Sequence, residues 1–227
     1  MKVKKNLAVL LSAGIFISCM GAGTVTADAD YESEEEQLFQ LINEARKQSG
    51  LGVFQTTPLL QKAADARVQE TLTCFSSNRP NGKAGSSIMN EYGIEYDAGV
   101  CCVVGDCSSI EHMYTYLMSQ TSEKRKMLSN GYDYIGIGIT KSSEELYYGA
   151  LLFANNANET AVLGDVEKDG DVNILDVITV NKACLGKETL SELQLYCADV
   201  NQNGVPDSGD ALEMLKYIVG LKEALSS

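Results

Sequence analysis

Two stretches of the chain bring oxygen-bearing side chains together at a spacing suited to a hard divalent cation. Asp165, Glu167, Asp169, Asn173 and Asp176 occupy positions 1, 3, 5, 9 and 12 of a twelve-residue loop, with Gly170 at position 6. Asp199, Asn201, Asn203, Asp207 and Asp210 repeat the pattern with Gly204 at position 6. Calcium takes about six to eight oxygens, and a loop of this length can wrap one ion if a glycine allows the sharp turn. Position 7 contributes only its main-chain carbonyl, so Asp171 and Val205 can differ there. One such cluster could be a solvated turn. Two in register predict two calcium ions.

The elements that must hold these loops are amphipathic helices after each one, the first carrying Val177, Ile178, Val180 and Leu185, the second Ala211, Leu212, Leu215, Ile218 and Val219. Each repeat also has a lysine and a glycine at matching places, Lys182 and Gly186, then Lys216 and Gly220. No helix of useful length is expected before Asp165, and position 12 is Asp in both loops where a paired EF-hand has Glu. This duplicated loop-helix pattern, from about Gly164 to Leu221, resembles type I dockerin modules. The family's opening survives as Gly164-Asp165-Val166-Glu167-Lys168-Asp169-Gly170, with Glu167 in place of Asn. The resemblance implies a small all-α module of two EF-hand-like repeats that docks to a cohesin on a scaffoldin, within a complex that degrades plant polysaccharide. It also implies that the two positions before each closing Asp help to choose the partner. They are Ile174 and Leu175 in one repeat and Ser208 and Gly209 in the other, with Lys182 and Lys216 on the following helices. The alternative for Ile174 is to pack inward between the loops.

Ahead of these repeats the grammar differs. Leu38, Leu41, Ile42 and Ala45 form a helical stripe ended by Gly50. Thr57-Pro58 begins a second helix with the buried row Leu60, Ala64, Val68 and Leu72. A later helix carries Ile110, Met113, Tyr114 and Leu117, and strands are expected over Val100 to Val104, Tyr134 to Thr140 and Leu146 to Phe153. Leu41-Ile-Asn-Glu-Ala-Arg46, Ala63 to Arg67, Phe75 to Gly82 and Tyr134 to Gly138 are similar, in order, to the landmarks of the SCP-like (CAP superfamily) extracellular domain. That resemblance implies an α-β-α sandwich with a cleft of His and Glu. Ser77 stands where the family's pattern has His, and Val100 where it has Glu, so a degenerate, non-catalytic domain is expected. His112, the sole histidine, falls off its helix's apolar stripe and should be exposed, which leaves no multi-histidine zinc site and no signature of a Ser-His-Asp or Cys-His nucleophile. Glu111 and Glu123 read as solvated, and Tyr92, Tyr96, Tyr147 and Tyr148 either line a sugar or peptide groove or belong to core and rim.

The N-terminus carries Lys2, Lys4 and Lys5, an apolar run from Leu7 to Met20 and small residues to Ala29. This reads as a signal peptide over residues 1–29, too short to cross a bilayer that needs about 20 apolar residues. A secreted chain follows, divided as an SCP-like domain at 30–154, a polar linker at 155–162 and the dockerin at 163–224. A net charge of −13 argues against nucleic acid and suits the gathering of divalent cations. Six cysteines remain after the leader. Cys184 and Cys197 could meet as a disulfide in a pseudo-twofold module, and the pairing of Cys74, Cys101, Cys102 and Cys107 is open. The reading is a secreted component, monomeric apart from its complex, whose dockerin delivers a non-catalytic domain. Its rivals are a hydrolase acting on glycan, peptide or cell wall, and a ligand-binding or inhibitory module.

Overall fold

The computed structural model describes residues 33–159 and 161–225; the expected leader, with Cys19, lies outside them. In chain order the elements are α1 (Glu34–Gln48), α2 (Pro58–Thr73), α3 (Ile88–Glu91), β1 (Ile94–Glu95), β2 (Ala98–Cys107), α4 (Ile110–Ser119), α5 (Thr121–Met127), β3 (Tyr134–Lys141), β4 (Tyr147–Asn155) and β5 (Asn158–Glu159). The C-terminal part adds α6 (Ile174–Cys184), α7 (Glu192–Ala198) and α8 (Ser208–Ile218).

The helices start where short polar side chains can satisfy free N–H groups. Ser33 Oγ accepts from Glu36 N–H at 3.2 Å, three glutamates fill the first turn of α1, and Arg46 and Lys47 fill its last. Thr57 caps α2, with Pro58 at its first position, as its sequence predicts. The buried row of α2 differs from expectation at one place. Leu72 is exposed, while Leu59, Ala63, Arg67 and Thr71 join Leu60, Ala64 and Val68 inside, because α2 is covered by the sheet, by the segment after it and by the C-terminal part.

Strands β2, β4 and β3 form an antiparallel sheet in that order. β4, in the centre, is apolar on both sides, as a doubly covered strand must be. Leu151 and Phe153 face a cluster with Leu38, Ile42, Met113 and Leu117 from α1 and α4. Leu152 and Ala154 face Leu59, Leu60 and Ala63 of α2. The domain is thus a mixed α-β-α sandwich. The cluster on the α2 side continues into the C-terminal repeats, taking in Val166, Leu193, Cys197 and Met214.

The stretch expected as a linker is part of the structure. Asn158–Glu159 pairs with Ile94–Glu95, and the Glu159 carboxylate accepts from Leu59 N–H at 2.6 Å at the start of α2. A polar sequence here bonds to the fold instead of spacing two free bodies.

The close approach of α2 to β3 rests on two glycines. A Cβ on Gly136 would lie 2.4 Å from Leu60 O, and one on Gly138 would lie 2.2 Å from Ala64 O. Neither backbone oxygen can swing away. Gly138→Ala should therefore destabilise the chain by about 1–3 kcal/mol in urea unfolding, whereas Gly52→Ala, with open space around it, should be close to neutral. Equal effects from the two would contradict this packing.

Candidate calcium and docking site

Each twelve-residue loop is closed by its first and last carboxylates. Asp165 Oδ1 and Oδ2 accept from Asp169 and Gly170 N–H at 3.1 and 3.0 Å, and Asp199 accepts from Asn203 and Gly204 N–H at 3.0 and 2.9 Å. Asp176 Oδ1 accepts from Val166 and Glu167 N–H at 2.8 and 2.9 Å, and its Oδ2 from Asn173 N–H at 2.8 Å. Asp210 does likewise to Asn201 and Asp207 N–H at 3.0 and 2.9 Å. The backbone turns agree, with positive φ at Lys168 and Gly170 and again at Gln202 and Gly204. Each closing Asp also completes a capping box with the residue that starts the helix, Asn173 for α6 and Asp207 for α8.

Burial makes these carboxylates informative. Asp176 and Asp210 are 0% exposed, Asp165 6% and Asp199 5%. Among the described residues none of the four takes part in an ion pair with Lys or Arg. Two buried carboxylates per loop without a basic partner are costly, and a divalent cation is the group that relieves them. Among the described residues no three His, Cys, Asp or Glu side chains converge into a metal cage by themselves. A calcium loop does not need them to, because amide and main-chain oxygens complete the set. Asn201, Asn203 and the Val205 carbonyl stand at those places in loop 2, with Asp207 at position 9. In loop 1, Asp169 and Asn173 are joined at 3.4 Å and Asp169 also accepts from Asp171 N–H at 3.0 Å. Glu167 receives the Thr179 hydroxyl on Oε1, which leaves Oε2 able to ligate an ion. The donor set fits calcium in both loops.

The two helices after the loops pack against each other, burying Val177 and Val180 of α6 and Ala211 and Met214 of α8. Their other faces are apolar and open. Ile174 and Leu175 are 51% and 55% exposed, so Ile174 does not pack inward. Ile178 and Leu212 match in the two repeats and are both exposed, as are Leu185 and Val219. Ser208 and Gly209 give the second repeat no such ridge; Gly209 N–H is occupied by Asp207. The lysines differ too: Lys182 lies 3.5 Å from Glu188, whereas Lys216 shares Glu213 with Lys222 at 2.6 and 3.1 Å.

The proposed Cys184 to Cys197 bridge is not formed. Cys184 is exposed at the end of α6 with its thiol 3.8 Å from Pro206 O, and Cys197 is buried on α7, where burial pushes its thiol up to about 11. All six described cysteines are free thiols. Sequence reasoning missed α7 itself. Its signal was available in Ser191 and Gln194, which form a capping box.

In the α/β domain the motif residues turn out to be braces. Asn43 exchanges two bonds with the Phe54 backbone, and Arg46, over the Phe54 ring at 3.7 Å, donates to Gly52, Met127 and Ser129 carbonyls at 2.6, 2.7 and 2.8 Å. Arg67 is wholly buried and donates to Ser76 and Asn78 carbonyls. Arg79 bonds Glu70 and Glu91, holding the Glu91 carboxyl below its usual range. Ser77 O receives Gly85 N–H at 3.0 Å, and Gly85 lies against Cys101, where a Cβ would come within 2.7 Å. Val100 packs against the α1 and α4 cluster. His112 is exposed, its Nδ1 3.2 Å from Ser108 N. Glu123 is not simply solvated: it pairs with Lys126 at 2.8 Å and also bonds Ser122 and the buried Cys102. Glu111 bonds Gln37. Tyr148 bonds Asp106 at 2.5 Å, and Tyr147 lies under Lys141, both on the rim. Tyr96 OH reaches Ser86 O at 3.4 Å.

Residues 163–219 match the family model described as the dockerin type I domain. No curated protein matches the chain. Among solved structures, an outer surface protein of Borrelia burgdorferi is similar at 15% identity and a TM-score of 0.49, over 56% of this chain and 96% of that one. An extracellular protein of Bacillus anthracis containing a SCP domain is similar at 13% identity and a TM-score of 0.48, over 54% of this chain and 40% of its own. A cysteine-rich secretory protein of Staphylococcus aureus is similar at 16% identity and a TM-score of 0.47, over 54% and 38%. This chain therefore spans less than half the length of the last two. Residues 163–219 are therefore similar to type I dockerin domains, a family that binds calcium and docks to cohesins.

Chelation should lower the unfolding temperature of the full chain, because at roughly 100-fold calcium over its dissociation constant each loop contributes about 2.7 kcal/mol. Limited proteolysis should then cut first within residues 163–219. An unfolding temperature and cleavage pattern indifferent to calcium would contradict the role given to the buried carboxylates.

Proposed function

We propose that the chain is an extracellular component of a cohesin-based, polysaccharide-degrading complex, in which a two-calcium dockerin at residues 163–224 delivers an SCP-like domain at residues 30–154 that works without hydrolytic chemistry of its own. The observation that carries this reading is the repetition of one loop geometry, buried acid pair included, within a segment that matches the dockerin family. No helix among the described residues is long and apolar enough to cross a membrane. Each ion takes its loop's own donors: Asp165, Glu167, Asp169, the Asp171 carbonyl, Asn173 and Asp176 in one, and Asp199, Asn201, Asn203, the Val205 carbonyl, Asp207 and Asp210 in the other.

The non-catalytic reading of the first domain draws on the side chains that occupy the family's cleft positions. Ser77 stands at the histidine position with Gly85, Cys101 and the Arg67 guanidinium beside it, Val100 stands at the glutamate position and packs against the α1 and α4 cluster, and the one histidine caps a local turn elsewhere. An acid and a base facing a common substrate atom are what such chemistry needs, and that corner offers a buried thiol and an arginine instead.

The cohesin contact is assigned to Ile174, Leu175 and Lys182, with Ser208, Gly209 and Lys216 as the weaker counterpart. Burying the half-exposed Ile174 and Leu175 gains about 2 kcal/mol together, which the Ser-Gly pair cannot match, so one docking orientation should dominate. Calcium titration with native mass spectrometry should find two ions, and one after Asp165→Ala or Asp199→Ala. Changing Ile174 and Leu175 to polar residues should weaken cohesin affinity about thirtyfold, while enlarging Ser208 and Gly209 should change it little. Equal losses from both changes would reject the single orientation, and a calcium-loaded chain that captures no member of a cohesin panel would reject the docking function.

A further inference from the structure

The two parts of the chain meet across a cleft that the docking function leaves unused. One wall is α2 with Lys62, Asp65 and Gln69. The other is α7 with Glu192 and Tyr196, and Tyr92 together with Asp199, Val205 and Pro206 of the second calcium loop completes the lining of a space of about 610 Å³. Largely preformed clefts at a junction between folding units, lined by rings and a few convergent polar groups, are where small ligands bind.

The charge in this cleft is unbalanced. Asp65 and Glu192 face it from opposite walls, and among the described residues neither is in an ion pair. Asp65 has only the Gln61 amide at 2.8 Å, and desolvation, with Glu35 nearby, pushes its carboxyl up to about 6. Glu192 receives the Tyr92 hydroxyl at 3.4 Å, and burial together with these acids pushes the phenol up. The single cation present is the chain's own: Lys62 Nζ sits 5.1 Å over the Tyr196 ring. That contact marks the ring face as one that accepts an ammonium or guanidinium.

We propose that this cleft binds a lysine or arginine side chain presented on an extended peptide. Its head group would bond the two carboxylates while its aliphatic stem lies against Tyr196 and Pro206, and Lys62, which is exposed, would swing aside. A neutral sugar offers no charge to pair with the two exposed carboxylates. The net charge of −13 draws basic partners toward the chain. The site lies on α7, away from the open faces of α6 and α8, so peptide and cohesin can be held together.

The test is calorimetry on the full calcium-loaded chain, with cohesin capture by the same preparation reporting the docking function separately. The probes are a capped hexapeptide with a central Arg-Lys pair, the same peptide with citrulline and acetyl-lysine, and xylohexaose. The basic peptide alone should bind, and Asp65→Asn and Glu192→Gln should each weaken it about tenfold with cohesin capture unchanged. The proposal is overturned if the basic peptide gives no binding while cohesin is still captured, if the neutral peptide or xylohexaose binds as well, or if neither isosteric variant weakens the peptide.

Discussion

Four carboxylates taken out of water, with no basic partner among the described residues, set the terms for the C-terminal repeats of this protein. Asp165 with Asp176, and Asp199 with Asp210, accept backbone N–H groups that fold each loop, yet hydrogen bonds from neutral amides do not offset two buried charges at close quarters. A divalent ion does. Because the closing Asp of each loop also caps the helix that follows, the same side chain couples ion binding to the start of α6 and of α8. The docking face we propose is built on those two helices, so its geometry depends on the loops behind it.

The α/β domain depends on different physics. Its central strand is buried on both sides, and α2 approaches β3 so closely that only glycine fits at two positions. Buried Arg46 and Arg67 tie loops that lack regular structure to the helices, donating to carbonyls that would otherwise be unpaired. Arg46 and Arg67 therefore hold the frame, and their presence says little about chemistry. Where the frame meets the repeats, Glu159 caps α2 and one apolar cluster crosses the junction, so the α/β domain and the repeats are joined more firmly than a flexible spacer would allow.

Much of this was legible in the sequence because the relevant interactions are local. Twelve residues contain the side-chain donors and the turn glycine of one calcium loop, and Thr57 announces its helix within a single turn. What escaped was non-local or short. Contacts such as Leu59 with Glu159 and Tyr92 with Glu192 join residues 100 apart, which no hydrophobic period can reveal. Helix α7 is seven residues long, too short for its stripe to stand out. Leu72 fits the period of α2 but lies beyond the reach of the elements that cover it, so it faces solvent. Cys184 and Cys197 match no symmetry of the module: one is exposed at the end of the first repeat's helix and the other is buried within α7.

The most direct test of this account is amide hydrogen exchange on the full chain with calcium and after chelation. The account predicts that protection at Val166, Glu167, Asn173, Asn201 and Asp207, whose N–H groups point at the buried carboxylates, falls sharply when calcium is removed, and that α6 and α8 lose protection with them. Amides of β3 and β4 should be unchanged. Loops that stay as protected without calcium as with it would contradict the claim that the ion holds the docking module together.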